Sequence, residues 1–397
     1  MIRLGVIGHG SRVSSMIKDY FRPASVDGMQ VAAIIDPDEP GARSRLAEED
    51  DGAIFYQSVD EMMRSASPDA IVIGTRCNLH AGFAAECARF DVPIFLEKPI
   101  AISMDQALLL ESAFEHSRAR VLVSFPLRVS PLCELAKNCL DSGGVGVKHH
   151  ILATNYVPYG SVYWSEEYRN YKLTGGLFLQ KATHDFDYMM YLMGAQIRAV
   201  SATAYYGGIF GGDKSPDLWC SACEERHTCP ESPENRVRNG SGGGADHRCV
   251  FSTAVGTAKT GSVLSGTNED ASSALIEFAS GAHGVYTQVF FSRRDAARRG
   301  SIISGYEGTV DFDWYRNELV RVRHHEPFTD RVTAGEGLSH FGGDAELARN
   351  FVALIEGREL SKAGIETGLR SVYACLAARE SAATGVRVDV RSPGDEG

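Results

Sequence analysis

A lysine at the end of an apolar run, and a lysine and histidine sharing one helix face, are the residues of this chain best suited to chemistry. In VPIFLEKPIA (92–101) the run from Val92 to Leu96 stops at Glu97-Lys98-Pro99. A lysine delivered at a strand tip can hold a substrate oxygen and help to move its proton. In LQKATHDFDYMM (179–190) Lys181 and His184 stand three residues apart, which makes them neighbours on a helix. They form a second place for handling protons. A third stretch, GTRCNLHAGFAAECA (74–88), begins at another strand tip with Thr75, Asn78 and His80.

These residues need a scaffold that brings strand tips together. Through residue 123 the sequence alternates strand and helix patterns: IRLGVIG, a helix, QVAAIID, a helix, DAIVIGT, HAGFAAECARF, PIFLEKP, MDQALLLESAFEHS and RVLVSF. That alternation predicts a parallel sheet with helices on both faces. Ligands bind at the carboxyl edge of such a sheet, so Thr75 and Lys98 are expected there together. From residue 124 longer β-rich runs follow a single helix, predicting a second α/β domain with a large, mostly antiparallel open sheet. The expected division is a Rossmann domain over 1–123 and a substrate-binding domain over 124–397. The latter carries a Cys- and Gly-rich insert at 207–249, and a helical pair closes the chain.

GVIGHGSRV (5–13) places Gly8 and Gly10 between the first strand and the first helix. The first glycine permits a tight turn and the second lets backbone approach a pyrophosphate at the helix start. Val13 stands at the third glycine position, so the strict fingerprint is broken. Asp36 closes VAAIIDPD, where a carboxylate can accept both ribose hydroxyls of NAD and repel a 2'-phosphate. The expected cofactor is NAD, with Gly8, His9, Gly10, Ser11 and Arg12 along the phosphates and Asp36 on the ribose. Thr75, Asn78, His80, Glu97 and Lys98 complete the expected cofactor contacts.

Taken jointly, GVIGHG, the EKP of 97–99, FPLRVSP (125–131), GGLFLQKATHDFDYMMYLMG (175–194) and HFGGD (340–344) resemble the Gfo/Idh/MocA family of NAD(P)-dependent oxidoreductases. The resemblance covers essentially the whole chain. It implies that the open sheet of the second domain carries the substrate pocket and often the oligomer interface, hence a homodimer or homotetramer. It also implies that Lys98 is catalytic and that His184 acts with Lys181 or Lys98. Many relatives carry Asp four residues before this histidine; Gln180 stands there instead and cannot take a proton. Arg128 matches a position that approaches the pocket in relatives, or else it makes an interdomain salt bridge. Tyr159, Tyr163, Trp164 and Arg169 in YGSVYWSEEYRNY (159–171) suit a sugar ring and its hydroxyls, and Asp185 is expected beside them. His340 and Asp344 line the pocket or cap the terminal helices.

With 397 residues, 44% hydrophobic and 23% charged, the chain can build two cores. A net charge of -11 argues against nonspecific nucleic-acid binding, and no run is long enough for a membrane span. The start of the sequence lacks a secretory signal pattern, so a cytoplasmic location is expected. Cys220, Cys223, Cys229 and Cys249 give C-x2-C-x5-C and a distant thiol, half of which resembles a zinc knuckle. A structural zinc site and unpaired reduced thiols are both expected options. The function expected is hydride transfer between a sugar or polyol carbinol carbon and nicotinamide. The alternatives are an oxidoreductive glycosidase, which oxidises, eliminates and re-reduces, and a noncatalytic NAD-binding sensor.

Overall fold

The computed structural model describes residues 1–253, 258–260, 263–265, 267–334 and 339–395. Six strands form the first sheet: β1 (Ile2–Ile7), β2 (Met29–Ile35), β3 (Ile54–Phe55), β4 (Ala70–Ile73), β5 (Ile94–Leu96) and β6 (Val121–Val123). Their order is β3-β2-β1-β4-β5-β6, and every pairing is parallel. The strands β4, β5 and β6 are buried throughout, as a sheet covered on both faces requires. Order reverses between β1 and β4, the switch point that opens a crevice at the strand ends.

The second sheet is built on β7 (Lys148–Tyr156), β8 (Ile197–Tyr205), β11 (Ala271–Phe278), β12 (His283–Val289), β13 (Arg298–Gly305), β14 (Gly308–Asp313), β15 (Glu318–Arg323), β16 (Phe328–Thr333) and β17 (Val388–Asp389). The intervening β9 (Ala258–Thr260) and β10 (Val263–Ser265) form a separate hairpin. Neighbours in the nine-stranded sheet run antiparallel, apart from the parallel pair β7 and β12. β11 and β12 alternate buried and part-exposed residues, as a sheet with one covered face should. The buried face receives the helices Thr183–Met193 and Ile365–Thr384. No helix among the described residues is long and apolar enough to cross a membrane.

One apolar core runs through both sheets, from Leu4, Val6 and Phe95 to Phe186, Tyr286 and Phe312. A small second core gathers Val157, Tyr163, Trp164, Leu177, Phe210, Val250 and Phe290 beneath the insert. Asp270 ties the start of that insert, its carboxylate accepting from the backbone N–H groups of Gly208, Ile209 and Phe210.

Candidate active site

The turn after β1 leaves no room for side chains at its first glycine. Gly8 has φ +83°, and a Cβ there would lie 2.7 Å from Thr75 N. At Gly10 a Cβ would meet nothing within 4 Å, so the loop faces open space. Gly10 also begins the helix Ser11–Met16 with no side-chain cap, leaving helix-start N–H groups for an anionic ligand. Asp36, at the end of β2, accepts from His9 N at 2.8 Å and Asp38 N at 2.9 Å. It therefore braces the loop as well as presenting a carboxylate. These features fit a dinucleotide: a glycine cradle, unpaired donors and a carboxylate one strand away.

Several expected cofactor contacts have other partners. The His9 ring is buried, with Nδ1 3.2 Å from Ala42 O, and burial lowers its pKa; its backbone, not its imidazole, belongs to the loop. Arg12 sends Nε to Glu97 Oε1 at 3.1 Å and both terminal nitrogens to Asp344 at 2.9 and 2.6 Å. It joins the phosphate-loop helix to the helix Gly343–Ile355 instead of reaching for phosphate. His80 places Nδ1 2.8 Å from Pro99 O and Nε2 3.0 Å from Thr75 O. It staples the two strand-tip loops together. Thr75 Oγ1 donates to Arg76 O. Asn78 gives its carbonyl oxygen to Gln106 Nε2, while its buried Oδ1 has no partner among the described residues. Ser11 is exposed at the helix start.

At the tip of β5, Glu97 Oε1 also accepts from Ser124 Oγ at 3.1 Å. Lys98 Nζ donates to Gln180 O at 3.0 Å, joining the strand tip to the opposite helix. Burial pulls the Lys98 pKa down to about 8, opposed by Glu97 and assisted by Lys181 and Arg299. The Gln180 side chain turns to Cys77, its Oε1 3.6 Å from Sγ.

That helix starts with a widened turn, Phe178–Ala182, and continues as Thr183–Met193. Single π turns of this kind cluster at functional sites because the extra residue re-aims side chains. Lys181, 6% exposed, donates from Nζ to Tyr159 Oη at 2.7 Å; the ammonium lies 4.9 Å from the centre of that ring. Burial lowers the Lys181 pKa. Burial alone would raise the Tyr159 phenol, yet Lys181, Arg299 and Lys98 together bring it below its ordinary value. His184 is 4% exposed, and its Nδ1 has no partner among the described residues. Burial, then Lys98, Arg299 and His340, press its pKa well below the usual histidine value. The imidazole is neutral. Its ring centre lies 6.1 Å from that of Phe125 and 6.4 Å from that of His340.

Asp185 is fully buried. Arg299 clamps it with Nε at 2.9 Å and a terminal nitrogen at 3.0 Å, and Asn155 and Tyr286 donate to it at 2.9 Å each. Those bonds give it a structural role in place of the expected substrate contact. Arg128 forms a two-pronged pair with Asp187 at 3.0 and 2.8 Å and donates to Lys362 O, so its guanidinium is also committed to the fold. Arg169 donates to Pro216 O, Ser252 Oγ and Thr253 O. It anchors the insert, and with Tyr163 and Trp164 packed in the small core only Tyr159 of that aromatic group reaches the lysines. Tyr159 is 45% exposed, whereas Tyr163 and Trp164 are buried.

His340 and Asp344, which the sequence offered as pocket-lining or capping residues, also converge here, as does Glu269, which it did not single out. His340 Nδ1 meets Asp344 Oδ2 at 2.8 Å, on a turn where His340 and Phe341 hold left-handed φ values of 46° and 56°. The carboxyl of Asp344 stays well below its usual pKa: burial opposes this, but Arg12 and His340 prevail. Glu269, buried beneath the widened turn, accepts from Leu177 N at 3.1 Å and Gln288 Nε2 at 3.4 Å. Arg299 and Glu269 lie on strand and loop patterns with no motif to mark them; HFGGD was the one available signal for His340 and Asp344.

The insert thiols do not assemble a metal centre. Cys220 Sγ is 3.6 Å from His247 Nδ1 and Cys223 Sγ is 3.7 Å from Lys214 Nζ. Among the described residues no group of three or more His, Cys, Asp or Glu is arranged to hold an ion. Both His247 nitrogens already face carbonyl oxygens, of Arg248 and Glu231. The expectation of zinc on Cys220, Cys223, Cys229 and Cys249 is therefore not supported, and all four are free cysteines.

Residues 2–125 match the NAD-binding Rossmann-fold domain of the Gfo/Idh/MocA oxidoreductases, and residues 147–390 match the C-terminal alpha/beta domain of the same proteins. The chain belongs to the Gfo/Idh/MocA oxidoreductase family. Inositol 2-dehydrogenase 2 of Saccharopolyspora erythraea is 30% identical over 205 residues, covering 51% of this chain and 57% of that protein. The rhizopine catabolism protein MocA of Rhizobium meliloti is 25% identical over 226 residues, 55% of this chain and 67% of that one. The chain thus spans about half the length of the curated relatives it matches. Among solved structures, a levoglucosan dehydrogenase in complex with NADH and levoglucosan superposes with a TM-score of 0.74 at 19% identity, covering 98% of this chain and 100% of that one. That likeness establishes the shared fold.

Proposed function

We propose that this protein is an NAD-dependent oxidoreductase that moves a hydride between the carbinol carbon of a sugar or polyol and nicotinamide. The observation that carries the reading is Lys98, brought by a strand tip of the first sheet onto the Gln180 carbonyl of the helix that bears Lys181 and His184. NAD, when bound, supplies the hydride acceptor. Gly8, Gly10 and the N–H groups from Ser11 onward receive its phosphates, and Asp36 receives the ribose. Lys98, an ammonium below pH about 8, donates to the oxygen being oxidised. Neutral His184, on the same helix as Lys181, approaches the same hydroxyl or its neighbour and fixes which carbon faces the cofactor. The names of the inositol and levoglucosan dehydrogenases support a hydroxyl-rich ring as the substrate class.

The test is a panel of free sugars, polyols and glycosides, with NADH absorbance and sugar release followed together, and with NADP run beside NAD. One NADH per substrate oxidised, with NAD preferred, is expected. Sugar release without NADH would replace this reading with a redox-neutral glycosidase. Tight NAD binding with no turnover on any member would replace it with a sensor.

A further inference from the structure

The site gathers three cations, Lys98, Lys181 and Arg299, which act on one another through space. Arg299 is neutralised by Asp185 at 2.9 Å. Glu97, the carboxylate beside Lys98, is engaged by Arg12 and Ser124. Gln180 adds no charge. In such a field a neutral imidazole is a poor proton acceptor, because its conjugate acid would be a further cation; burial first, and then Lys98, Arg299 and His340, disfavour the charged form of His184. An anionic base is the form the surroundings favour.

Tyr159 is placed to be that base. Its hydroxyl receives the Lys181 hydrogen bond at 2.7 Å, the same ammonium lies 4.9 Å from the ring centre, and the residue is 45% exposed. A charge-assisted bond of that length stabilises phenolate over phenol. We propose that Tyr159 Oη takes the carbinol proton during oxidation and returns it during reduction, with Lys181 holding the phenolate and Lys98 holding the substrate oxygen. The inference rests on the oxidoreductase reading above. The substrate O–H bond breaks and its proton forms the Oη–H bond of a neutral phenol. The electron pair left on oxygen closes the C=O bond as hydride departs to nicotinamide. The groups facing Tyr159 agree: Lys181, Arg299 and Lys98 lower its pKa against burial, while Tyr163 and Tyr315 lie close enough to feel its charge.

The experiment is an ultraviolet phenolate titration of the whole protein and of Tyr159→Phe and Lys181→Met, run beside turnover. In the unaltered protein one tyrosine ionises below the ordinary value of about 10. That step vanishes in Tyr159→Phe and moves upward in Lys181→Met. Tyr159→Phe keeps the ring, and its fold is checked by circular dichroism and thermal melting; its kcat falls by roughly 100-fold or more and its rise with pH disappears. KM changes far less. An unshifted Tyr159 phenol, or a kcat unchanged in Tyr159→Phe, overturns the inference. If the low-ionising tyrosine is found in a protein that oxidises no sugar or polyol, the proposed function has failed and the role with it. An active enzyme with an ordinary Tyr159 fails this inference alone.

Discussion

The tip of β5 and the helix Thr183–Met193 deliver charged groups to one site by different physics. Lys98 arrives because parallel strands end at a common edge, so main-chain geometry alone places it. The helix buries Thr183 through Met190 without a break. Its charges must therefore be matched by partners from other elements, Asp185 by Arg299 and Asp187 by Arg128. A strand tip places a reactive group by backbone geometry alone, and the cost to the fold is the burial of that group's charge. A buried helix carries one only inside a network that the rest of the sheet supplies.

The strongest way to break this contrast is Arg299→Met. It leaves Asp185 buried against Asn155 and Tyr286 without its cation, and removing one partner of a buried pair costs about 3–5 kcal/mol. Chemical denaturation should show that loss. A change below about 1 kcal/mol would mean that the hydrogen bonds from Asn155 and Tyr286 hold the buried carboxyl without the guanidinium.

Lys98→Met should separate chemistry from stability. Turnover falls by roughly 100-fold or more, while the fold becomes more stable at neutral pH. The sign follows from the pKa: burial lowers Lys98 to about 8 from 10.5, so the folded protein is penalised for the charge below pH 8. That penalty fades as pH rises from 8 towards 10.5. The melting temperature of the variant should exceed that of the parent at pH 7, with the gap closing near pH 10. A variant less stable at pH 7 would show that the Gln180 contact matters more than burial of the charge.

Glu269→Gln gives the smallest and most diagnostic effect. Burial raises Glu269 from 4.5 to about 7, despite hydrogen bonds from Leu177 and Phe178. The native acid therefore contributes fully at pH 4.5 and below, and its contribution is lost as pH rises through 7. The glutamine keeps an oxygen for Leu177 N. It should add on the order of 1–2 kcal/mol at pH 8 and close to nothing at pH 4.5. A gain independent of pH would assign the effect to packing.

The same contrast explains what could be read from sequence. The parallel sheet, the glycine turn and the Lys98 strand tip were legible because each depends on local pattern: alternation, a glycine pair between a strand and a helix, and an apolar run ending in charge. The second sheet was legible as β-rich runs, although its one parallel contact, β7 with β12, was not. The buried partners of Asp185 were not legible, since nothing in a helix pattern reveals an arginine 114 residues away, whereas a salt bridge at Arg128 was one of the two readings the sequence offered. The cysteine spacing misled for a related reason. Spacing limits which thiols can meet, but the local backbone of the insert decides which ones do.

The bond from Arg12 to Asp344 bears on any effort to change cofactor preference by transplanting the first strand, turn and helix from another protein. Such a cassette looks self-contained, since its glycines and its acidic strand end lie within 36 residues. Here it would remove the guanidinium that serves both Glu97 and Asp344, unbalancing the charge around one carboxylate beside Lys98 and another that also meets His340. A donor segment lacking arginine at position 12 would disturb the electrostatics of substrate oxidation before its effect on the adenosine end could be measured. Exchange at Asp36, with Arg12 retained, is the cleaner route.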